Sequence, residues 1–186
     1  MKKRFVLFLT LVMTICLLAA CGEDTPATPD TTQNQQTDTI SGELFDAGNV
    51  QVRVPEGWKA FPVMDLFADD PNATDPDAIT ICKGGQTDLD LFSKPYIRVD
   101  FYGPDLEMMG GLKDFYEQTE DLEPIQLGSH NWQGFTTTDF GLMAVLVSEE
   151  GDLQFQVSIY LEATDGKISL EDADVRYILE TITASN

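Results

Sequence analysis

The sequence is poor in basic residues, in histidine and in cysteine. It has 11 lysines and arginines against 32 aspartates and glutamates, with one histidine and three cysteines. Such an excess of negative charge repels nucleic acid, so we expect no nucleic-acid partner. A lone histidine without a cysteine cluster excludes the common zinc sites, which need three or four such ligands. The chain also lacks the nucleophile elbow Gly-x-Ser-x-Gly and the phosphate-binding loop, so neither motif marks it as an enzyme.

The single histidine, His130, follows Ser129 directly. Neighbouring side chains on a strand or turn point apart, so these two residues do not form a catalytic pair. We therefore predict that His130 is a solvated loop residue. No residue of the chain is assigned a catalytic role, and no cofactor is expected.

Long apolar runs are missing except at the N-terminus. The basic residues Lys2–Arg4 precede the apolar stretch Phe5–Ala20, which only Thr10 and Thr14 interrupt. This stretch is shorter than the roughly 20 apolar residues that cross a bilayer. A basic start, a short apolar core and small residues before a cleavage site are typical of a secretory signal peptide.

The end of this stretch, Leu18-Ala19-Ala20-Cys21, resembles the lipobox of bacterial lipoproteins. The resemblance implies a signal peptide over residues 1–21 and a lipid, a diacylglycerol with palmitate-type chains, on the thiol of Cys21. It also implies anchoring at the extracytoplasmic face of the cell membrane. Cleavage would remove three basic residues, leaving 8 basic against 32 acidic residues and a net charge of −24. Cys16 would be lost and Cys21 lipidated, so Cys82 would have no partner for a disulfide.

The mature chain divides into a tether and a domain. Residues 22–42 are polar, and Ile40 is their only large apolar side chain. Such a segment cannot bury enough surface to offset its ordering entropy, so we predict a disordered tether with a span of roughly 25 Å. From Glu43 onward the composition suits a folded chain, and residues 43–186 are long enough for a single domain.

Alternating apolar and polar residues predict several strands in this domain. The segments with this pattern, or with a short apolar run, are 50–54, 78–83, 96–102, 132–140, 142–147 and 153–161. In 96–102, Tyr96, Arg98, Asp100 and Tyr102 share the face opposite the apolar residues. The run Leu142–Val147 is apolar on both faces, so it should be central and covered on both sides. The turn at residues 149–152 should join the last two strands in a hairpin.

Two helices are also predicted. The first rests on one face formed by Leu112, Phe115, Tyr116, Thr119 and Leu122. The second has Ser169 as a candidate N-cap, with Asp172 three residues later. A stripe of apolar residues then recurs at helical spacing and should pack on the core: Val175, Ile178, Leu179 and Ile182.

The segment Val52-Arg53-Val54-Pro55-Glu56-Gly57-Trp58, placed after a lipoprotein signal and a polar tether, resembles bacterial PsbP-like lipoproteins. These share a fold with the extrinsic PsbP subunit of photosystem II, and the resemblance covers residues 43–186. It implies an α+β fold in which helices flank both faces of an antiparallel sheet, an α/β/α sandwich. It also implies a binding or assembly factor without a catalytic motif. One-sided α+β folds of the cystatin or nuclear-transport-factor type are the alternatives. By its position after a strand-ending turn, Trp58 should cover one edge of the core.

The segment Asp69–Asp77 has oxygen-bearing side chains at alternate positions, as calcium sites require. It is not an EF-hand, because Asp75 replaces the glycine and Ile81 stands where the bidentate glutamate belongs. We interpret it as a solvated acidic loop, with no metal site assigned. A looser calcium site remains the alternative, with one set of candidate ligands: Asp70, Asn72, Asp75 and Asp77.

Cys82 lies in a predicted strand, where we expect a small, half-buried residue rather than a redox centre. The function that fits these observations is a non-enzymatic binding or assembly module, held at the membrane by Cys21, whose protein or small-molecule ligand is unknown. The alternatives are an extracytoplasmic hydrolase that uses unmarked carboxylates and a calcium-binding lipoprotein. A cleft with two buried carboxylates would favour the hydrolase, and an exposed aromatic patch beside a filled core would favour the binding module.

Overall fold

The computed structural model describes residues 40–104 and 112–185. Of these, 51% lie in strands and 13% in helices. The predicted signal peptide, Cys21 and all but the last residues of the predicted tether lie outside the described residues. Residues Asp38–Asn186 form a compact unit. In the part of the chain that the structure describes, no helix is long and apolar enough to span a bilayer.

The fold is dominated by antiparallel strands. In chain order the strands are β1 (Gly42–Asp46), β2 (Val50–Pro55), β3 (Trp58–Met64), β4 (Thr74–Lys83), β5 (Tyr96–Tyr102), β6 (Thr119–Asp121), β7 (Ile125–Leu127), β8 (His130–Thr137), β9 (Met143–Glu150), β10 (Leu153–Tyr160), β11 (Glu162–Ala163), β12 (Gly166–Lys167) and β13 (Thr183–Ala184). The α-helix α1 spans Ala173–Thr181, and short 3-10 turns span Asp88–Phe92 and Leu112–Phe115.

The main sheet has the strand order β3-β4-β5-β10-β9-β8-β6, and β7 pairs with the other half of β8. A smaller sheet has the order β1-β2-β13, and β11 pairs with β12. The predicted hairpin is confirmed, since Glu150 of β9 pairs with Leu153 of β10. The predicted strand at 132–140 begins two residues earlier and ends at Thr137.

The core lies on one face of the main sheet, which we call the core face. Alternation puts Ile97, Val99 and Phe101 of β5 on this face, beside their register partners Ile159, Val157 and Phe155 of β10. Above them pack β2 and α1 in one apolar cluster that includes Val50, Val52, Val175, Ile178 and Leu179. The predicted stripe of the C-terminal helix is thus confirmed, because its four residues are buried.

The C-terminal helix begins later than its predicted cap. Its N-cap is Asp172 rather than Ser169. The two residues still interact as a pair, because the backbone N–H of Ser169 donates to Asp172 Oδ2 at 3.1 Å. In addition, Ser169 Oγ accepts from the backbone N–H of Glu171 at 3.2 Å. These bonds close a turn just before the helix instead of its first turn.

The prediction of an α/β/α sandwich is wrong. Among the described residues there is one α-helix, and it lies on the core face only. The predicted first helix is a 3-10 turn at Leu112–Phe115, followed by the strand Thr119–Asp121. That strand pairs with β8 from Thr119↔Thr137 to Asp121↔Phe135. Pairing satisfies backbone groups at this edge of the sheet, which a helix would have left to water.

Candidate functional site

His130 is the first residue of β8 and is fully buried, so the prediction of a solvated loop residue is wrong. Its Nε2 lies 2.7 Å from the backbone oxygen of Ile182, just after α1. Its Nδ1 lies 3.2 Å from Ser148 Oγ and 3.0 Å from Glu150 Oε1 on β9. The ring therefore ties the end of the helix to the main sheet.

This arrangement does not suit catalysis. A catalytic histidine holds a carboxylate with one nitrogen and offers the other to a nucleophile or substrate. Here the second nitrogen is bound to a backbone carbonyl, and the ring packs against Trp132 at 4.7 Å and Phe155 at 5.2 Å between centroids. Ser129 lies outside this pocket and donates to Glu150 Oε1 at 2.8 Å. The role of His130 is structural.

The four candidate calcium ligands do not converge. Asp70 Oδ1 accepts from the backbone N–H of Asn72 at 2.9 Å, and Asp75 Oδ1 accepts from that of Asp77 at 2.9 Å. Asp77 Oδ1 accepts instead from the Asn49 side chain at 2.8 Å. Within residues 40–104 and 112–185, no three histidine, cysteine or acidic side chains are grouped so as to hold a metal ion.

Cys82 lies on β4 and is fully buried rather than half-buried. Burial raises the pKa of its thiol, and the nearby charge of Asp90 adds to this effect. A Cβ placed at Gly85 would lie 3.0 Å from its sulfur, which leaves no room for an attacking group from that side. A high pKa and a covered sulfur describe an inert thiol.

Functional groups are brought together on the side of β5 and β10 that faces away from the core. We call it the polar face, and it comprises Tyr96, Arg98, Asp100 and Tyr102 of β5 with Gln156, Ser158 and Tyr160 of β10. All seven side chains are partly exposed, whereas the residues between them are buried. The predicted alternation of β5 is confirmed, and β10 supplies the other half of the surface from more than fifty residues away.

Two contacts hold the polar face in shape. The guanidinium of Arg98 makes three bonds to the Asp100 carboxylate, with Nε–Oδ1, Nε–Oδ2 and Nη2–Oδ1 distances of 2.9, 3.1 and 2.7 Å. The rings of Tyr96 and Tyr160 stack at 4.2 Å between centroids with an interplanar angle of 19°. Each pair sits on register-matched or alternate positions, so the strand geometry itself brings the groups together.

The surroundings of three side chains on this surface raise their pKa values. Burial lowers the pKa of Arg98, but the hydrogen bonds and charge of Asp100 outweigh it, so the net effect is a raised pKa. Burial, followed by the hydrogen bond with Tyr160, raises the pKa of Tyr96. Burial and the Asp100 charge raise that of Tyr102. At neutral pH Tyr96 and Tyr102 therefore present neutral phenols beside the Arg98–Asp100 ion pair.

A groove lies between the edges of the two sheets. It has a volume of about 550 Å³ and separates β1 and the end of β2 from β3, and its walls include Leu44, Phe45, Val54, Trp58 and Ala60. Trp58 is 8% exposed, and its Nε1 donates to Asp174 Oδ2 at 3.2 Å. The prediction that it covers the core edge is confirmed.

Sequence reasoning placed four residues of the polar face on one side of a strand but gave them no role. The signal was present as alternation in both strands. The sequence does not show that these two strands are adjacent, because β5 and β10 pair across about fifty residues. No local pattern encodes that pairing.

No family model matches the chain, and neither does any curated protein. Among solved structures, it is similar to a protein from Bacteroides thetaiotaomicron, with a TM-score of 0.45 and 11% identity over 79% of this chain. The match covers 50% of that protein, so this chain spans about half of its length. The resemblance to PsbP-like lipoproteins stays a prediction.

Proposed function

We propose that this chain is a lipoprotein anchored through Cys21 at the extracytoplasmic face of the cell membrane, and that its domain is a non-enzymatic binding module. Its protein or small-molecule ligand is held against the polar face. The lipobox and the basic, apolar N-terminus support the anchor. The polar face supports the binding role, and it is the observation on which the proposal rests.

The polar face combines the features that make a surface bind. Tyrosine and arginine are the residues that most often dominate binding energy, because each offers a large flat area with a polar tip. Arg98 is fixed by Asp100, and Tyr96 is fixed by Tyr160. Side chains already fixed in the free protein lose little entropy when a ligand arrives. Tyr96, Tyr102 and Tyr160 are partly exposed beside the filled core, and an aromatic patch beside such a core was the feature expected of a binding module.

The hydrolase alternative needs two carboxylates in a cleft, at least one of them shielded from water. Among the described residues, the buried polar side chains are Thr80, His130, Thr137 and Ser148. Asp100 is bound to Arg98, and Asp75, whose charge also acts on Arg98 and Tyr102, lies nearby; both carboxylates are partly exposed, so neither is shielded from water. The calcium alternative lacks converging ligands for the reason given above. The binding module therefore accounts for more of the arrangement than either alternative.

The test uses the lipidated protein as bait in detergent-solubilised membranes, as wild type and as Arg98→Ala. The matched control is Arg176→Ala on α1. The exposed fraction of its side chain is 36%, against 37% for Arg98, and it also pairs with a carboxylate, that of Glu171. Exposed ion pairs contribute about 0–1 kcal/mol, so both variants should stay folded.

We expect Arg98→Ala to lose the ligand and Arg176→Ala to keep it. Capture of the same molecules by all three proteins would contradict the assignment of the polar face. A captured molecule that is released in cleaved form would instead support the hydrolase alternative.

A further inference from the structure

The two ends of the main sheet differ in charge and in their distance from the point where the chain enters the domain. Strand pairing defines one end by a line of register partners: Trp58↔Lys83, Cys82↔Tyr96, Tyr96↔Tyr160, Tyr160↔Met143 and Met143↔Thr137. Gly42, the first residue of β1, pairs with Pro55 just before β3 and therefore lies at this same end. We call it the tether end, because residues 22–41 join the domain there.

Large apolar side chains are exposed around the tether end. Leu89 and Phe92 lie between β4 and β5 and are 70% and 88% exposed. Phe140 lies between β8 and β9 and is 73% exposed, and Phe115, shortly before β6, is 64% exposed. Large apolar side chains are also exposed at the opposite end, where Met64, Leu66 and Phe67 are 59%, 80% and 99% exposed at the end of β3 and on the connection that follows it. Apolar exposure therefore makes either end a candidate contact surface, and charge and the point of chain entry distinguish the two.

The lysines of the described residues lie at the tether end too. Lys59, Lys83 and Lys94 belong to or follow the ends of β3 and β4 there, and Lys167 lies on the hairpin after β10. At the opposite end, the connecting segments 46–50, 64–77, 122–129 and 149–153 contain no lysine or arginine and many acidic residues. Lysines at the tether end pair with carboxylates, as Lys94 does with Asp90 at 3.0 Å. The tether end is therefore the less negative end of a strongly acidic domain.

We propose that the tether end lies on the phospholipid bilayer that carries the anchor, with Phe92 and Phe140 in the lipid interface. This inference rests on the proposed lipidation of Cys21. The chain enters the domain at this end, and aromatic side chains favour the interface between headgroups and acyl chains. The charge asymmetry turns the acidic end away from anionic headgroups.

Because the domain is tethered, a weak contact with the bilayer is enough to hold it there. The predicted tether of about 20 residues would keep the domain within roughly 25 Å of its attachment point. Confinement of this kind raises the effective concentration of the surface to the millimolar range. A few phenylalanines can then hold the domain down, although they could not recruit it from solution. Contact at the tether end directs the opposite end away from the lipid and leaves the polar face accessible from the side.

The test places tryptophan at exposed phenylalanines of the full lipidated protein. Phe92→Trp and Phe140→Trp report on the tether end. Phe67→Trp is the matched control, because Phe67 is 99% exposed on the β3–β4 connection at the opposite end. The native Trp58 and Trp132 are 8% and 0% exposed, so wild-type protein supplies a constant background. Each protein is reconstituted into phosphatidylethanolamine–phosphatidylglycerol vesicles that carry bromine on the acyl chains.

We expect the added emission at positions 92 and 140 to be quenched and shifted to shorter wavelength, and that at position 67 to be unchanged. Flotation of the same samples checks anchoring separately. Protein that floats with the vesicles but shows no quenching at 92 and 140 would overturn the proposed contact and leave the anchor intact. Equal quenching at position 67 would overturn it as well. Protein that does not float would refute both the anchor and the contact.

Discussion

Replacement of His130 by alanine should be among the most destabilising single changes in this domain. The ring is fully buried, and its two nitrogens hold the backbone oxygen of Ile182 at 2.7 Å and the Ser148 hydroxyl at 3.2 Å. Removal of a large buried ring costs about 3–5 kcal/mol through the cavity that it leaves. A buried carbonyl left without its donor adds about 1–3 kcal/mol, although the two effects overlap. We expect a loss of about 4 kcal/mol and a Tm lowered by roughly 10 °C.

The His130→Phe variant separates these effects, since it keeps a ring of similar volume and removes both polar contacts. It should lose about 1–3 kcal/mol. Asn131→Ala is the control, because the side chain of this neighbour on β8 is exposed and should matter by less than about 0.5 kcal/mol. Denaturant unfolding measures all three changes. Amide hydrogen exchange should also accelerate at Thr183–Ala184, which pairs with β2 directly after Ile182. A loss below about 1 kcal/mol for His130→Ala would refute the structural role.

Four further outcomes are expected. Trp58→Ala should lower the free energy of unfolding by about 3–5 kcal/mol in a denaturant titration, because the side chain is buried. The Cys82 thiol should resist a thiol reagent until the protein unfolds, since burial raises its pKa. Asp90 accepts from the backbone N–H groups of Thr87 and Gln86, and they hold its pKa below the usual 3.8. Its ionised form therefore stabilises the fold above about pH 4, and acid titration of Asp90→Asn should show a smaller loss of stability below that pH. Cys21→Ala should abolish lipidation, so mature protein from this variant should no longer float with vesicles.

The fold could be predicted best where one residue pattern covers a whole element. The strand β10 alternates without exception from Leu153 to Tyr160, and three buried apolar residues mark α1, with Ile182 at its C-cap. Short elements carry too few residues for any period to emerge. The strands β6 and β7 have three residues each, and β6 falls inside a stretch whose apolar spacing also fits a helix. Pairing with β8 in the folded protein makes this stretch a strand rather than a helix.

His130 was predicted wrongly although a signal existed. At the start of β8, His130 and Trp132 are buried, whereas the residue after each of them, Asn131 and Gln133, is exposed. The alternation therefore begins at His130. It was not recognised there because histidine is polar and stands at a position where an apolar residue is expected. Burial of a histidine depends on partners for both nitrogens. Those partners come from β9 and from the residue after α1, neither of which is near in sequence.

The strand β9 explains why helices were expected on both faces of the sheet. Its residues are apolar on both sides, and Met143, Ala144, Val145 and Leu146 are all buried, as predicted for a covered central strand. On the side opposite the core, however, the cover is not a helix. Leu112 and Tyr116, from the segment around a 3-10 turn, pack against Phe135, Met143 and Val145.

The burial pattern of a strand thus shows that another element covers it but does not identify that element. Here the segment around a short 3-10 turn covers the strand where a helix was predicted. This covered cluster lies over β8 and β9 and reaches Tyr160 at the end of β10, whereas the rest of that side of β5 and β10 carries polar residues. An antiparallel sheet tolerates a solvated face, so nothing requires the cover to continue. The polar face begins where the cover ends. The composition of each strand on that side therefore marks the boundary between structural and functional surface, once the strand order is known.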